Sequence, residues 1–91
     1  MGSQGTAIID FGIAPGSNKA TVTVSDAAML STSVAESWKM ANSTSDHNAI
    51  EHMIVPIQLV CEMNPSGGSF IIHAISDFKL TGTFMVNWVW V

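Results

Sequence analysis

Arginine and tyrosine are absent from this 91-residue chain, cysteine occurs once, and charged side chains are scarce. Each gap excludes something. The only cations are Lys19, Lys39 and Lys79, well separated along the chain, and the formal net charge is -4. Nothing here clusters positive charge to displace counterions from a phosphate backbone, so no nucleic acid is expected as a partner. A single cysteine, Cys61, permits neither an intrachain disulfide nor a cysteine zinc cage. The longest apolar runs, such as Ile54-Val55-Pro56-Ile57, fall far short of the roughly 20 residues of a spanning helix. No basic amphipathic stretch is present for surface binding, so no membrane is expected either. The N-terminus lacks the charged start and apolar block of a signal peptide. The myristoylation-like start and the Asn42-Ser43-Thr44 sequon are short patterns that read as coincidence.

The scarcity of charge is the most informative gap. Charged residues are 11% of the chain and hydrophobic residues 47%, against roughly 25% charged in an ordinary soluble domain. A surface this poor in charge is expected to be covered by something other than water, either a ligand or other protein chains.

What is present is alternation. In residues 82–91, Phe84, Val86, Trp88 and Trp90 alternate with Met85, Asn87, Val89 and Val91. A two-residue period in β-branched and aromatic side chains specifies a strand, here apolar on both faces. Residues 6–13 repeat the pattern with Ala7, Ile9, Phe11 and Ile13 on one side. Residues 19–25 point Ala20, Val22 and Val24 inward. Residues 33–41 place Val34, Trp38 and Met40 on a face with Glu36, a carboxylate that marks an edge strand or a partly wet face. Residues 55–63 point Ile57, Leu59, Cys61 and Met63 inward, and residues 69–76 are apolar on both sides. Turns fall at Ala14-Pro15-Gly16-Ser17-Asn18 and Asn64-Pro65-Ser66-Gly67-Gly68. Residues 26–32 form one helical turn capped by Asp26 or an irregular crossing. Residues 42–48 form a polar loop, and 49–54 a short helix capped by Asn48. The expected fold is all-β: residues 1–5 a flexible lead, and 6–91 one antiparallel β-sandwich or small barrel of about six strands.

The last two strands read as a hairpin centred on Leu80. Phe70 then meets Trp90, Ile72 meets Trp88, Ile71 meets Val89, His73 meets Asn87 and Ile75 meets Met85. A two-layer domain has one core, so the reverse face of this hairpin needs another cover. Ile71, His73, Ile75, Met85, Asn87, Val89 and Val91 are therefore the candidate subunit interface.

Candidate chemistry centres on Asp46-His47-Asn48-Ala49-Ile50-Glu51-His52. His47, Glu51 and His52 are residue types that ligate zinc or another transition metal. The alternative is a polar loop whose Asp and His side chains cap backbone groups. His73 reads as a hydrogen-bonded core or interface histidine. Cys61 reads as a small core hydrophobe, with no electropositive setting for a nucleophile. Trp38 is either core or an exposed platform for stacking a sugar. The serines sit in no nucleophile elbow, and Glu36, Glu51 and Glu62 form no recognisable acid–base pair. No enzyme activity is expected, and no cofactor beyond the metal alternative.

Three stretches carry a resemblance: Asp10-Phe11-Gly12 with Pro15-Gly16, Ser45-Asp46-His47-Asn48 with Glu51-His52, and Gly82-Thr83-Phe84 with Asn87-Trp88-Val89-Trp90-Val91. Together they resemble small β-rich virion structural proteins of tailed bacteriophages, which serve as capsid decoration, head fibre or tail components. The resemblance implies a virion protein made in the host cytoplasm, with no catalytic residues. Its partners would be other virion proteins and copies of itself, most simply in a trimer. The rival expectation is a module that binds glycans or a host surface through Trp38.

Overall fold

The computed structural model describes residues 2–91; Met1 lies outside the described residues. Six strands and one helix follow in the order β1 (Ser3–Asp10), β2 (Ser17–Ser25), β3 (Ala35–Lys39), α1 (Ala49–Ile54), β4 (Gln58–Met63), β5 (Ser69–Leu80) and β6 (Thr83–Trp90). They form two antiparallel three-stranded sheets. The first has the order β1-β6-β3 and the second β2-β5-β4. The sheets face each other, with β1 against β2 and β3 against β4 along the margins. This is the expected all-β, sandwich-like architecture, without a closed barrel.

The final hairpin does not form. β5 and β6 are the central strands of different sheets, and they meet face to face rather than edge to edge. β6 pairs with β1, Trp88 opposite Gly5 and Met85 opposite Ile8. β5 pairs with β2 and β4, Ile72 opposite both Val22 and Cys61. The physical reason lies in residues 81 and 82. Gly82 has φ +76°, and its backbone bonds to the end of β1: it donates to the Gly12 carbonyl at 2.8 Å and accepts from the Phe11 amide at 2.9 Å. The chain is thereby carried across to the first sheet. Apolar partners that match across a ladder also match across a core, so alternation by itself does not separate the two arrangements.

The core lies between the two central strands. Phe70, Ile72 and Ala74 from β5 face Phe84, Val86 and Trp90 from β6, joined by Ile9, Phe11 and Met29. Phe11 packs edge-on against Phe84, and Phe70 against Trp88, both at 5.8 Å between ring centroids. Full burial of side chains this large contributes about 1.5–3 kcal/mol each. Residues 26–32 are turns rather than a helix. Asp26 accepts from the Ala28 amide at 3.0 Å and from Trp90 Nε1 at 3.2 Å, which seats buried Met29 under the end of the sandwich.

Several boundaries and faces differ from expectation, β3 and β4 being shorter than the expected 33–41 and 55–63. β1 begins at Ser3, opposite Trp90, so residues 3–5 belong to the sheet instead of forming a flexible lead. Ile13 leaves the core face and stands 90% exposed in the β1–β2 turn. β5 runs on to Leu80 through an irregularity opposite Asn18, whose side-chain amide donates to the Ser76 carbonyl at 3.1 Å. In β3 the face is inverted: Ala35, Ser37 and Lys39 turn inward, while Glu36 and Trp38 turn out. Ser37 Oγ donates to the Asn87 carbonyl at 2.7 Å, and Lys39 reaches the Val55 carbonyl with its amine. At a sandwich margin, small side chains and a long cationic stem fill the inner face better than an indole.

Candidate functional site: a polar clamp and two outer sheet faces

Of the two expectations for the polar segment, the backbone-capping one holds: its Asp and His side chains satisfy backbone groups and complete the first sheet. β3 pairs with β6 only as far as Lys39 opposite Val86, which leaves the start of β6 without a strand on the side away from β1. Side chains of the 42–52 segment bond to that bare edge. Asp46 Oδ2 accepts from the Thr83 amide at 2.9 Å and from its hydroxyl at 2.6 Å. Thr44 Oγ1 donates to the Thr83 carbonyl at 2.8 Å. His52 Nε2 accepts from the Met85 amide at 2.9 Å, and Asn42 donates to the Asn87 side chain at 3.1 Å. Side chains thus do here what a neighbouring strand would do.

Helix α1 holds the clamp in place. Asn48 caps it, accepting from the Glu51 amide at 2.9 Å while Glu51 accepts from the Asn48 amide at 2.9 Å, a capping box. That geometry turns His52 inward, where it is 0% exposed. Because Nε2 accepts from Met85, the ring proton sits on Nδ1, which donates to the Asn48 carbonyl at 2.9 Å. His47 donates from Nε2 to the Thr81 carbonyl at 2.6 Å, and its Nδ1 lies 3.3 Å from Glu51 Oε2. The His47 ring stacks on Phe84 at 4.0 Å, and His52 approaches the same phenyl at 5.2 Å.

The metal set His47, Glu51 and His52 is not assembled. All four imidazole nitrogens have partners, and His52 is buried away from the Glu51 carboxylate, which is engaged in the capping box. Among the described residues no group of three His, Cys, Asp or Glu side chains converges on a point. The Thr83 hydroxyl, then its amide, hold the Asp46 carboxyl below the ordinary carboxylate range. The Asn48 amide, then His47, do the same for Glu51. Burial, and secondarily the Glu36 charge, push the Cys61 thiol up, the opposite of nucleophile activation. Burial lowers the Lys39 ammonium.

The seven candidate interface residues divide between opposite sides of the sandwich. Met85, Asn87 and Val89 lie on the outside of the first sheet, with Val91 exposed just beyond its end. Ile71, His73 and Ile75 lie on the outside of the second. Across the first outer face the rows are Gln4–Val89–Glu36, Thr6–Asn87–Trp38 and Ile8–Met85. Trp38 is 39% exposed at its β3 edge, with Met40 52% and Val34 59% exposed along the same strand direction. The core reading of Trp38 is overturned, while β3 is the edge strand that Glu36 on the same face led one to expect. Across the second outer face the rows are Lys19–Ile75–Gln58, Thr21–His73–Val60 and Thr23–Ile71–Glu62. His73 Nε2 lies 2.7 Å from Glu62 Oε1.

A cleft of about 560 Å³ lies between the 26–33 turn and the ends of β1 and β6. Both oxygens of its carboxylate, Asp26, already accept hydrogen bonds, so no unpartnered polar group is aimed into it. No family model, no curated protein and no solved structure matches the chain.

Proposed function

We propose that this chain is a non-enzymatic structural protein of a phage particle, a capsid-decoration, fibre or tail component. It acts by burying its outer sheet faces against copies of itself and neighbouring virion proteins. One observation carries this reading: the outside of the first sheet presents Trp38, Ile8, Met40 and Val34 to solvent, and among the described residues its charges are few, Asp10, Glu36 and, at the Thr83 corner, Asp46. Exposed apolar surface of this extent marks an interaction site. The virion assignment is supported by the resemblance of the 10–16, 45–52 and 82–91 stretches to tailed-phage structural proteins. The polar residues that first suggest catalysis are engaged in holding the β6 edge, consistent with a structural role.

Light scattering across a concentration series tests the assembly. The expected result is a mass that rises above 9.7 kDa at micromolar concentration. A monomer throughout that range would remove the main physical support for assembly.

A second reading is favoured by a specific feature. Trp38 is exposed, and Asn87 and Thr6 share its row with Glu36 beside it. An indole face beside amide, hydroxyl and carboxylate groups suits a sugar ring. Trp88 and Trp90 turn inward, so Trp38 is the exposed indole. Quenching or enhancement of its emission by oligosaccharides, lost in Trp38→Phe, would support the glycan reading. No response on a broad glycan panel would count against it.

A further inference from the structure

We infer that β1 is a pairing edge: two copies of this chain join their β1 strands antiparallel about a two-fold axis and fuse their first sheets into one of six strands. This rests on the assembly reading above and specifies its contact. The geometry of the clamp fixes which groups β1 leaves open. Thr83 and Met85 turn their amides to Asp46 and His52, and Asn87 turns its carbonyl to Ser37. All three therefore point away from β1. Their partners across the ladder, Asp10, Ile8 and Thr6, then turn their amides and carbonyls away from β6, toward the open side. Among the described residues no backbone group outside the sheet bonds to them. On β6 the fold covers a shorter bare edge with Thr44, Asp46 and His52, yet it leaves this one uncovered. The other margins are blunted. β2 carries Lys19 and a register shift, β4 is six residues long with Glu62, and β3 is five with Lys39. β1 runs eight residues in unbroken register, with no lysine and no proline. Such an edge is a template for another strand.

The strand that fits is β1 itself. With Ala7 on the axis, Thr6 lies opposite Ile8 of the second copy and Gln4 opposite its Asp10 on the outer face, while Gly5 lies opposite its Ile9 on the inner. β-Branched side chains meet, an amide meets a carboxylate, and the smallest residue meets a fully buried one. Asp10 gives Oδ1 to the Gly12 amide, which leaves Oδ2 for Gln4. Like charges stay apart: the two Asp10 residues stand about 20 Å from each other, beyond the roughly 8 Å screening length. β6 carries no charge, Asp46 is engaged on its far side, and Lys19 points outward from the other sheet. A foreign strand would need side-chain pockets along the edge for specificity, whereas β1 alone specifies the self-pairing.

The test uses variants of the full chain in sedimentation, with circular dichroism to verify folding. The wild type is expected to reach twice the 9.7 kDa monomer mass. Thr6→Pro removes an amide that faces the open side and no bond to β6, so it should fold and remain monomeric. Trp38→Lys alters the outer face and should leave the dimer intact. A second measurement is independent of the proline. Ala7 lies opposite its own copy in a non-hydrogen-bonded pair, about 4.5 Å apart at Cα, a separation that a disulfide spans. In a Cys61→Ala background, Ala7→Cys should therefore oxidise to a covalent dimer, and Val60→Cys, on the opposite sheet, should not. A folded Thr6→Pro that associates like the wild type, or an Ala7→Cys that stays uncrosslinked while the wild type assembles, would show the edge pairing to be wrong though assembly stands. Loss of the dimer in Trp38→Lys alone would assign assembly to the outer face instead. A wild type that remains monomeric overturns both readings.

Discussion

His52→Ala is expected to destabilise the protein severely. The imidazole is fully buried, accepts from the Met85 amide, donates to the Asn48 carbonyl and packs against Phe84. Truncation leaves the Met85 amide without its acceptor, at a cost of about 1–3 kcal/mol. The lost bond to Asn48 adds about 1 kcal/mol, and lost packing another 1–2 kcal/mol or so. A total of about 3–6 kcal/mol compares with roughly 5–14 kcal/mol for the whole of a domain this size. In a thermal melt that corresponds to a fall of about 12–48 °C. His52→Gln restores a side-chain acceptor and should recover about half of the loss. Hydrogen exchange gives the local readout: the Met85 amide should lose protection in His52→Ala before the amides of β5 do. Nitrogen NMR of the wild type should show the proton on Nδ1. A loss below about 1 kcal/mol, or an unchanged Met85 amide, would refute the clamp as the support of this edge.

The other expectations concern separate parts of the fold. Asp46 has a lowered pKa in the folded chain, relative to an ordinary value of 3.8. The unfolded chain therefore binds more protons, and the stabilisation from Asp46 is present above that value and lost as pH falls through the folded one. Acid titration of Asp46→Asn should be flatter than wild type below about pH 4. Gly82→Ala forces φ +76° on an L-residue and places a Cβ 2.8 Å from that of Asp46. It should cost at least about 1–2 kcal/mol in denaturant unfolding, and a neutral result would mean that the crossover is not held as described. Trp38→Phe should change stability by less than about 0.5 kcal/mol while removing most acrylamide-quenchable fluorescence. Quenching that survives the change would place the accessible indole at Trp88 or Trp90.

Most of the strand content was legible because its cause is local. Side chains alternate along an extended backbone, so the six apolar periodicities mark β1 to β6 wherever those strands pair. The α1 cap was legible for the same reason: Asn48 and Glu51 stand three apart, the spacing a capping box takes. The site was less legible. Asp46, His47, Glu51 and His52 are the side chains that metals and active sites use, and equally those that satisfy bare backbone. Which role they take depends on where β3 stops beside β6, and no residue in the 42–52 segment reports that.

Two decisions were completed only by tertiary structure. One was which side of β3 faces in, which Glu36 signals without settling. The strand's alternation partitions Glu36 and Trp38 from Ser37 and Lys39, but the narrow sandwich margin selects the smaller face for the interior. The other was whether β5 and β6 lie side by side or face to face. Apolar rows on Phe70, Ile72, Phe84 and Trp90 satisfy both, because the hydrophobic effect is non-directional. Bonds from Gly82 to residues 11 and 12, some seventy positions away, direct the chain to the second layer. Alternation along a strand is a property of its own backbone and can be read from the residues; its neighbours are set by contacts that exist only once the whole chain has folded.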